Sequence, residues 1–217
     1  AGSQILLAEN SVLTVNLGSP TFSVDHPSLL AAREIEPSSA TFFYGSIAGD
    51  GASVVYTTPA DQQATLYLAG PSSYTGGTTI NTGVTVHASD PAALGLSGPV
   101  NLHGGHLRVS SGTNLAFTST RPLVFTSGSL GGGGTLSFES SLIIGAEHTL
   151  SPGNSIGVLS LSFNPSAALV LDSGGTYRWE LSDATGTAGT GWDLIHVAGN
   201  VDVAALASVD NTFNITL

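Results

Sequence analysis

The chain has 217 residues, a formal net charge of −11 and neither cysteine nor methionine, and its four basic residues are all arginines. Because phosphate binding requires clustered cations, this composition argues against nucleic acid and anionic membranes as partners, and the lack of thiols excludes disulfides. Hydrophobic residues make up 41% of the chain and charged residues 9%, so the polar surface consists mostly of Ser, Thr, Asn and Gly, and a packed all-β protein is favoured.

The composition also bears on location. A chain without cysteine is typical of a bacterial exported protein, so we expect it to be extracellular or at the cell surface. It begins with Ala1 and has no signal peptide, which we interpret as a mature product or a fragment. No run approaches the roughly 18 apolar residues of a membrane-spanning helix, so we expect no membrane insertion by this segment.

Residues 1–42 are predicted to form an N-terminal coil or cap. Strand-like runs occur at Gln4–Ala8 and Val12–Leu17. Between them and the rest of the chain, Ser28–Glu36 is the one plausible helix, and Pro37 ends it after barely two turns.

Residues 43–217 consist of short β-branched runs that alternate with Gly, Asn and Ser-Pro corners. The runs are three to six residues long and recur about every 8 to 12 residues, which indicates strands joined by tight turns. The later strands are predicted at Leu115–Thr118, Leu123–Thr126, Thr135–Phe138, Leu142–Ile144, Val158–Phe163, Ala168–Leu171, Tyr177–Leu181, Leu194–Val197 and Val201–Val203. The glycine-rich run Gly128–Gly134 is predicted to be a corner between two strands.

A sandwich, a barrel or a stacked solenoid could each produce this pattern. Hairpins of sandwiches and barrels usually contain Asn-Gly or Asp-Gly turns, and Asp50-Gly51 is the one such pair in the sequence. We therefore favour an all-β parallel β-helix, a β-solenoid of about ten coils with about 20 residues in each coil.

Two motifs resemble the autotransporter-associated β-strand repeat of bacterial passenger domains. The first is Leu68-Ala-Gly-Pro-Ser-Ser-Tyr-Thr-Gly-Gly-Thr-Thr-Ile-Asn-Thr-Gly83, followed by Ala93-Leu-Gly95 and Val100-Asn-Leu-His-Gly-Gly105, and the second is the corner Ser151-Pro-Gly-Asn-Ser155. The motif residues are Tyr74, Gly76, Gly77, Thr78, Thr79, Gly83, Gly95, Gly104, Gly105, Ser151, Pro152, Gly153, Asn154 and Ser155. The segments Phe43–Gly51 and Gly175–Leu194 also look like coils of these proteins, so the resemblance covers roughly residues 43–217 and implies a right-handed parallel β-helix outside the cell. This chain has one clear copy of the Tyr-Thr-Gly-Gly-Thr-Thr unit, whereas members of the family often carry many.

These motif residues are interpreted as structural. Glycine and asparagine at corners allow left-handed backbone, and Asn154 could join an inward ladder of stacked amides. Tyr74 is expected to pack inside so thin a core.

His103-Gly-Gly-His106 is the most obvious metal-ligand pair. Residues three apart on a strand lie on opposite faces, so joint ligation would require the two glycines to form a turn. No cysteine or nearby carboxylate completes a ligand set, and we expect neither a metal nor a cofactor.

A candidate glycan face comprises Trp179, Glu180, Asp183, Trp192 and Asp193. Two of these carboxylates could act as acid and base on a glycan, with the tryptophans as platforms. Such a site needs several groups converging on one groove, which four dispersed arginines and no lysine do not favour.

Two functional hypotheses remain open. The first is a non-enzymatic extracellular structural β-helix: a surface stalk, an adhesin segment, or a filament or matrix subunit that self-associates through coil ends or continues into a longer chain. It depends on the low-charge Ser/Thr surface and on the apolar end Phe213–Leu217. The alternative is a polysaccharide-binding or polysaccharide-degrading β-helix.

Overall fold

The computed structural model describes residues 4–6, 11–16, 41–204 and 212–217. They form twenty short strands and almost no helix: β1 Gln4–Leu6, β2 Val12–Asn16, β3 Thr41–Phe43, β4 Ser46–Ala48, β5 Ser53–Thr57, β6 Ala64–Leu68, β7 Gly77–Asn81, β8 Val84–Ala88, β9 Val100–Val109, β10 Asn114–Phe117, β11 Leu123–Gly132, β12 Thr135–Phe138, β13 Leu142–Ile144, β14 His148–Pro152, β15 Val158–Phe163, β16 Ala168–Leu171, β17 Thr176–Arg178, β18 Leu194–Ala198, β19 Asn200–Asp202 and β20 Asn214–Thr216. Among the residues that the structure describes, no helix is long and apolar enough to cross a membrane. The helix predicted at Ser28–Glu36 lies outside the described residues.

The strands stack in parallel on their equivalents from the neighbouring turns, which confirms the β-solenoid. On one face, β6, β8, β9, β11 and β14 place a column of inward apolar side chains in register: Leu66, Val86, Leu107, Leu130 and Leu150. All five are buried, and each such side chain contributes about 1.5–3 kcal/mol through the hydrophobic effect. A single turn could not bury this surface alone, so the stack is the folding unit.

The regular part of the solenoid makes about five turns, so the prediction of about ten coils was wrong. Partners on adjacent turns are separated by 20 residues from Leu66 to Val86. Outside the regular part the windings are much longer: Tyr177 pairs with Ile215, a separation of 38 residues. Long segments between paired strands therefore contain residues that the prediction had assigned to further coils.

Stacked phenylalanines fill the core at another face. Phe117, Phe138 and Phe163 occupy the same register position on β10, β12 and β15. Successive ring centroids lie 5.2 Å apart, with interplanar angles of 24° and 15°. Each stacked pair contributes about 0.5–1.5 kcal/mol beyond the burial of its area.

Two long strands pass through corners instead of ending there. The first half of β9 pairs with β7 and its second half with β8, so β9 joins two faces. β11 does the same and continues to Gly132, so of the predicted corner Gly128–Gly134 only Gly133 and Gly134 lie between two strands. At Gly128, where φ is +109°, a Cβ atom would lie 2.0 Å from the carbonyl oxygen of Gly105, and this close approach of two backbones requires glycine.

Candidate functional site

The repeat-like motif forms an internal brace of the solenoid. Tyr74 is fully buried, as predicted, and its phenol is hydrogen-bonded to Oγ1 of Thr78 at 2.5 Å. Thr78 donates to the carbonyl oxygen of Leu94 at 3.0 Å. Gly95 has φ +82°, and a Cβ atom there would lie 2.7 Å from Cε2 of the Tyr74 ring. The motif thus connects one turn to the next and leaves its buried groups unavailable to a ligand.

The other residues of the first motif lie in or beside β7 and β9 and make close contacts with neighbouring turns. A Cβ atom would come within 3.0 Å of a neighbouring atom at Gly76, Gly77, Gly83, Gly104 and Gly105. Thr79 accepts a hydrogen bond from Nδ2 of Asn101 on the adjacent strand, at 3.2 Å. These contacts support the structural interpretation of the motif.

The second motif comprises Ser151, Pro152, Gly153, Asn154 and Ser155. Its first three residues are buried and its last two are exposed, so the prediction that Asn154 joins an inward ladder was wrong. The chain turns away from the core at Gly153, where φ is +67°. The Arg108 guanidinium donates to the Gly153 carbonyl, and the Gly153 amide donates to Gly132 at 2.9 Å. The corner is thereby held against the two previous turns, on β9 and β11.

The segment between β17 and β18 carries all five residues of the candidate glycan face. Asp193 is 1% exposed, with Oδ1 accepting from the Gly157 amide at 2.7 Å and Oδ2 from the Glu180 amide at 2.9 Å. Burial raises the pKa of this carboxyl, while the two backbone hydrogen bonds oppose that shift. Asp193 is therefore a brace between two backbone segments, and it is not available as an acid or base for a substrate.

The two tryptophans are also engaged by local backbone. Trp179 Nε1 donates to the carbonyl of Asp193 at 2.8 Å, and Trp192 Nε1 donates to the carbonyl of Gly186 at 3.3 Å. Both rings are half-buried. They close the excursion onto itself and do not form an open platform.

The remaining two carboxylates have local partners. Asp183 is exposed and accepts from the hydroxyl and the amide of Thr185, which lowers its pKa. Glu180 pairs with Arg178 at 3.3 Å. The structure thus brings Trp179, Glu180 and Asp193 together, but as parts of a folded excursion and without a pair of free carboxylates.

The histidine pair has a different geometry from the one expected of a straight strand. Gly104, with φ +76°, turns β9 between the two residues, and both side chains line the same cleft. His103 is exposed, while His106 Nδ1 is hydrogen-bonded to Oγ of Ser129 at 2.7 Å. Within the described ranges, no group of three or more His, Cys, Asp or Glu residues could hold a metal ion.

The cleft that contains these histidines has a volume of about 770 Å³. Most of its lining residues carry polar side chains. They come from three stacked corners, with Asp61, Gln62, Gln63, Asn81, His103 and His106 as the main side chains. Of these six side chains, the sequence analysis considered only the two histidines as ligands. The available signal was the adjacent amide pair Gln62-Gln63, although 40 residues separate Gln63 from His103 in the sequence.

Comparison with protein-family models, with curated proteins and with solved structures finds no match to this chain.

Proposed function

We propose that this chain is a non-enzymatic structural segment of an extracellular or cell-surface protein exported from a bacterium, built as a β-solenoid of the autotransporter-associated type. The observation that carries the proposal is the use of the chemistry-bearing side chains as internal braces. Asp193 binds two backbone amides, and Arg121, which is 8% exposed, donates to carbonyls of three other residues. Groups committed in this way stabilise a rod and are unsuited to turnover.

The surface composition supports the same proposal. Charged residues make up only 9% of the chain, so a surface of mostly Ser, Thr and Asn offers few charged side chains that could bind a substrate. The polysaccharide-degrading alternative has lost Asp193, because its carboxylate is buried and both of its oxygens are hydrogen-bonded to backbone.

Association along the solenoid axis is part of the proposal. β20 pairs with β17, and its central residue Ile215 continues the inward apolar column yet is 69% exposed. An exposed apolar strand edge accepts another strand, either from a second copy or from a longer chain.

Electron microscopy of the purified chain, together with light scattering over a concentration series, tests this association. We expect rods longer than one chain whose length increases with concentration. Ile215→Lys should shorten them, because a charge would enter the stacking surface. Ile143→Lys is the matched control, since Ile143 is 52% exposed and lies on β13 within the solenoid. Equal rod lengths for the two variants, or a monomer at every concentration, would refute axial association.

A further inference from the structure

The cleft lies where three successive turns of the solenoid change direction. β5 and β7 end beside it, and Asn81 is in register with His103 on the next strand. The segment 58–63, which joins β5 to β6, forms one wall. Stacked corners of this kind make a groove that runs across the strands, so a linear ligand could contact all three turns.

The wall is built into the fold. The backbone N–H of Gln62 donates to the Pro59 carbonyl at 3.2 Å, and the backbone N–H of Ala64 donates to the Gly83 carbonyl at 2.9 Å. A Cβ atom at Gly83 would lie 2.5 Å from the Gln62 carbonyl oxygen, so glycine permits this approach. Asp61 has φ +63°, a left-handed conformation that non-glycine residues adopt only when their surroundings hold them in it.

The side-chain amides that line the cleft have unused hydrogen-bonding capacity. Within the residues that the structure describes, no hydrogen bond engages the side chains of Gln62, Gln63 or Asn81. Asn101, on the same strand as His103, is by contrast bound to Thr79 at 3.2 Å. An amide offers two donors and an acceptor, so three of them match a ligand whose groups both donate and accept.

The lining also limits the chemistry of a ligand. It contains Asp61 as its one carboxylate and no arginine, and the chain carries a net charge of −11, so anions are disfavoured. It contains no large aliphatic side chain, which disfavours an apolar ligand. An uncharged ligand rich in hydroxyl groups is the class that best fits this lining. The volume of about 770 Å³ is in the range that holds a ligand of a few sugar units.

We propose that this cleft binds a neutral oligosaccharide. The side-chain amides of Gln62, Gln63 and Asn81 form hydrogen bonds with its hydroxyls, and the His103 ring lies beside the sugar units. This binding site is independent of axial association, because it lies on the side of the solenoid. A structural rod could therefore also attach to a glycan.

The test is titration of the full chain with neutral hexasaccharides of glucose, xylose, mannose and N-acetylglucosamine, followed by ¹H–¹⁵N NMR. Hexagalacturonate serves as the charged comparison. We expect at least one neutral sugar to shift the amide signals of residues 58–63, 81–83 and 103–106. The double variant Gln62→Ala, Asn81→Ala should weaken that binding about tenfold or more, since it removes two hydrogen-bonding groups.

Asn164→Ala is the matched control, because Asn164 is exposed just after β15, outside the cleft lining, and no hydrogen bond within the described residues engages its side chain. This variant should bind the sugar as the unaltered chain does. Far-ultraviolet circular dichroism verifies that the variants keep their fold. The proposal is overturned if no neutral sugar produces shifts at millimolar concentration, if only the charged sugar binds, or if the double variant binds with unchanged affinity.

Discussion

The Tyr74 phenol donates a hydrogen bond to Oγ1 of Thr78 in the interior of the solenoid, and both side chains are at most 1% exposed. The direction follows from the next bond, in which Thr78 gives its proton to the Leu94 carbonyl. Burial raises the pKa of Tyr74, so the phenol keeps its proton. This relay links the Tyr-Thr-Gly-Gly-Thr-Thr unit to the following turn.

Removing the Tyr74 hydroxyl should destabilise the chain. Tyr74→Phe deletes a buried hydrogen bond, and we expect the free energy of unfolding to fall by about 1–2 kcal/mol in urea titrations. Tyr56→Phe is the control, because the Tyr56 hydroxyl is equally buried but has no partner in the described part of the chain. Its removal should be neutral or stabilising, and equal losses in the two variants would contradict the relay.

Gly95 and Gly112 allow a second matched comparison. Their φ angles are +82° and +79°, so alanine meets a similar backbone penalty of about 1–2 kcal/mol at each position. At Gly95 the new Cβ would also lie 2.7 Å from the Tyr74 ring, whereas no described atom lies within 4 Å at Gly112. Gly95→Ala should therefore lower the free energy of unfolding by about 2 kcal/mol more than Gly112→Ala.

The difference between the two alanine variants is the quantity to measure, by urea unfolding monitored through tryptophan fluorescence. Comparable midpoints would show that Tyr74 moves aside without cost. A larger loss at Gly112 would show that the backbone penalty, and not the contact with Tyr74, determines the effect.

The fold class could be predicted because each strand shows its core-facing residues in its own sequence. Leu136 and Phe138 alternate with polar residues, and strands with the same pattern on adjacent turns stack in register. The number of turns could not be predicted, because it depends on the number of residues between paired strands, which reaches 38 between Tyr177 and Ile215. Gly128 was misread for a related reason: its need for glycine comes from the Gly105 backbone on the neighbouring turn.

Asp193 should contribute to stability and not to catalysis. Asp193→Asn replaces one acceptor oxygen with an NH₂ group that would face a backbone N–H, so we expect a loss of about 2–3 kcal/mol. Asp183→Asn, in the same excursion but exposed, should change stability little. Urea unfolding of both variants distinguishes the roles, and equal small effects would argue against the brace.

The candidate site was harder to predict than the fold. Trp179, Glu180 and Asp193 do lie together, but the sequence pattern could not show that backbone N–H groups donate hydrogen bonds to both oxygens of the Asp193 carboxylate. The cleft beside His103 depends on where the segment 58–63 folds, and that is determined by contacts with Gly83 on the next turn. Side-chain identity was readable in both cases, whereas the partners of each side chain came from other turns.

The stability of the solenoid should fall in mild acid because of His87. Its ring stacks on Tyr67 with centroids 4.2 Å apart, it is 6% exposed, and Arg108 is its register neighbour on β9. Burial, and then the positive charge of Arg108, lower the pKa of His87 to about 4. The folded state therefore binds this proton less readily than the unfolded state, whose histidine has a pKa of about 6.5.

The sign of the pH effect follows directly. Stability from neutral His87 is fully present above about pH 6.5 and is lost as the pH falls through about 4, by about 3 kcal/mol in total, because each unit of pKa shift is worth about 1.4 kcal/mol. His87→Phe keeps a ring on Tyr67 without a titrating group, and His87→Gln removes the charge without adding bulk. The unaltered chain should lose more stability than either variant between pH 7 and pH 4 in urea unfolding. Parallel pH profiles for all three proteins would exclude His87 as the source of acid sensitivity.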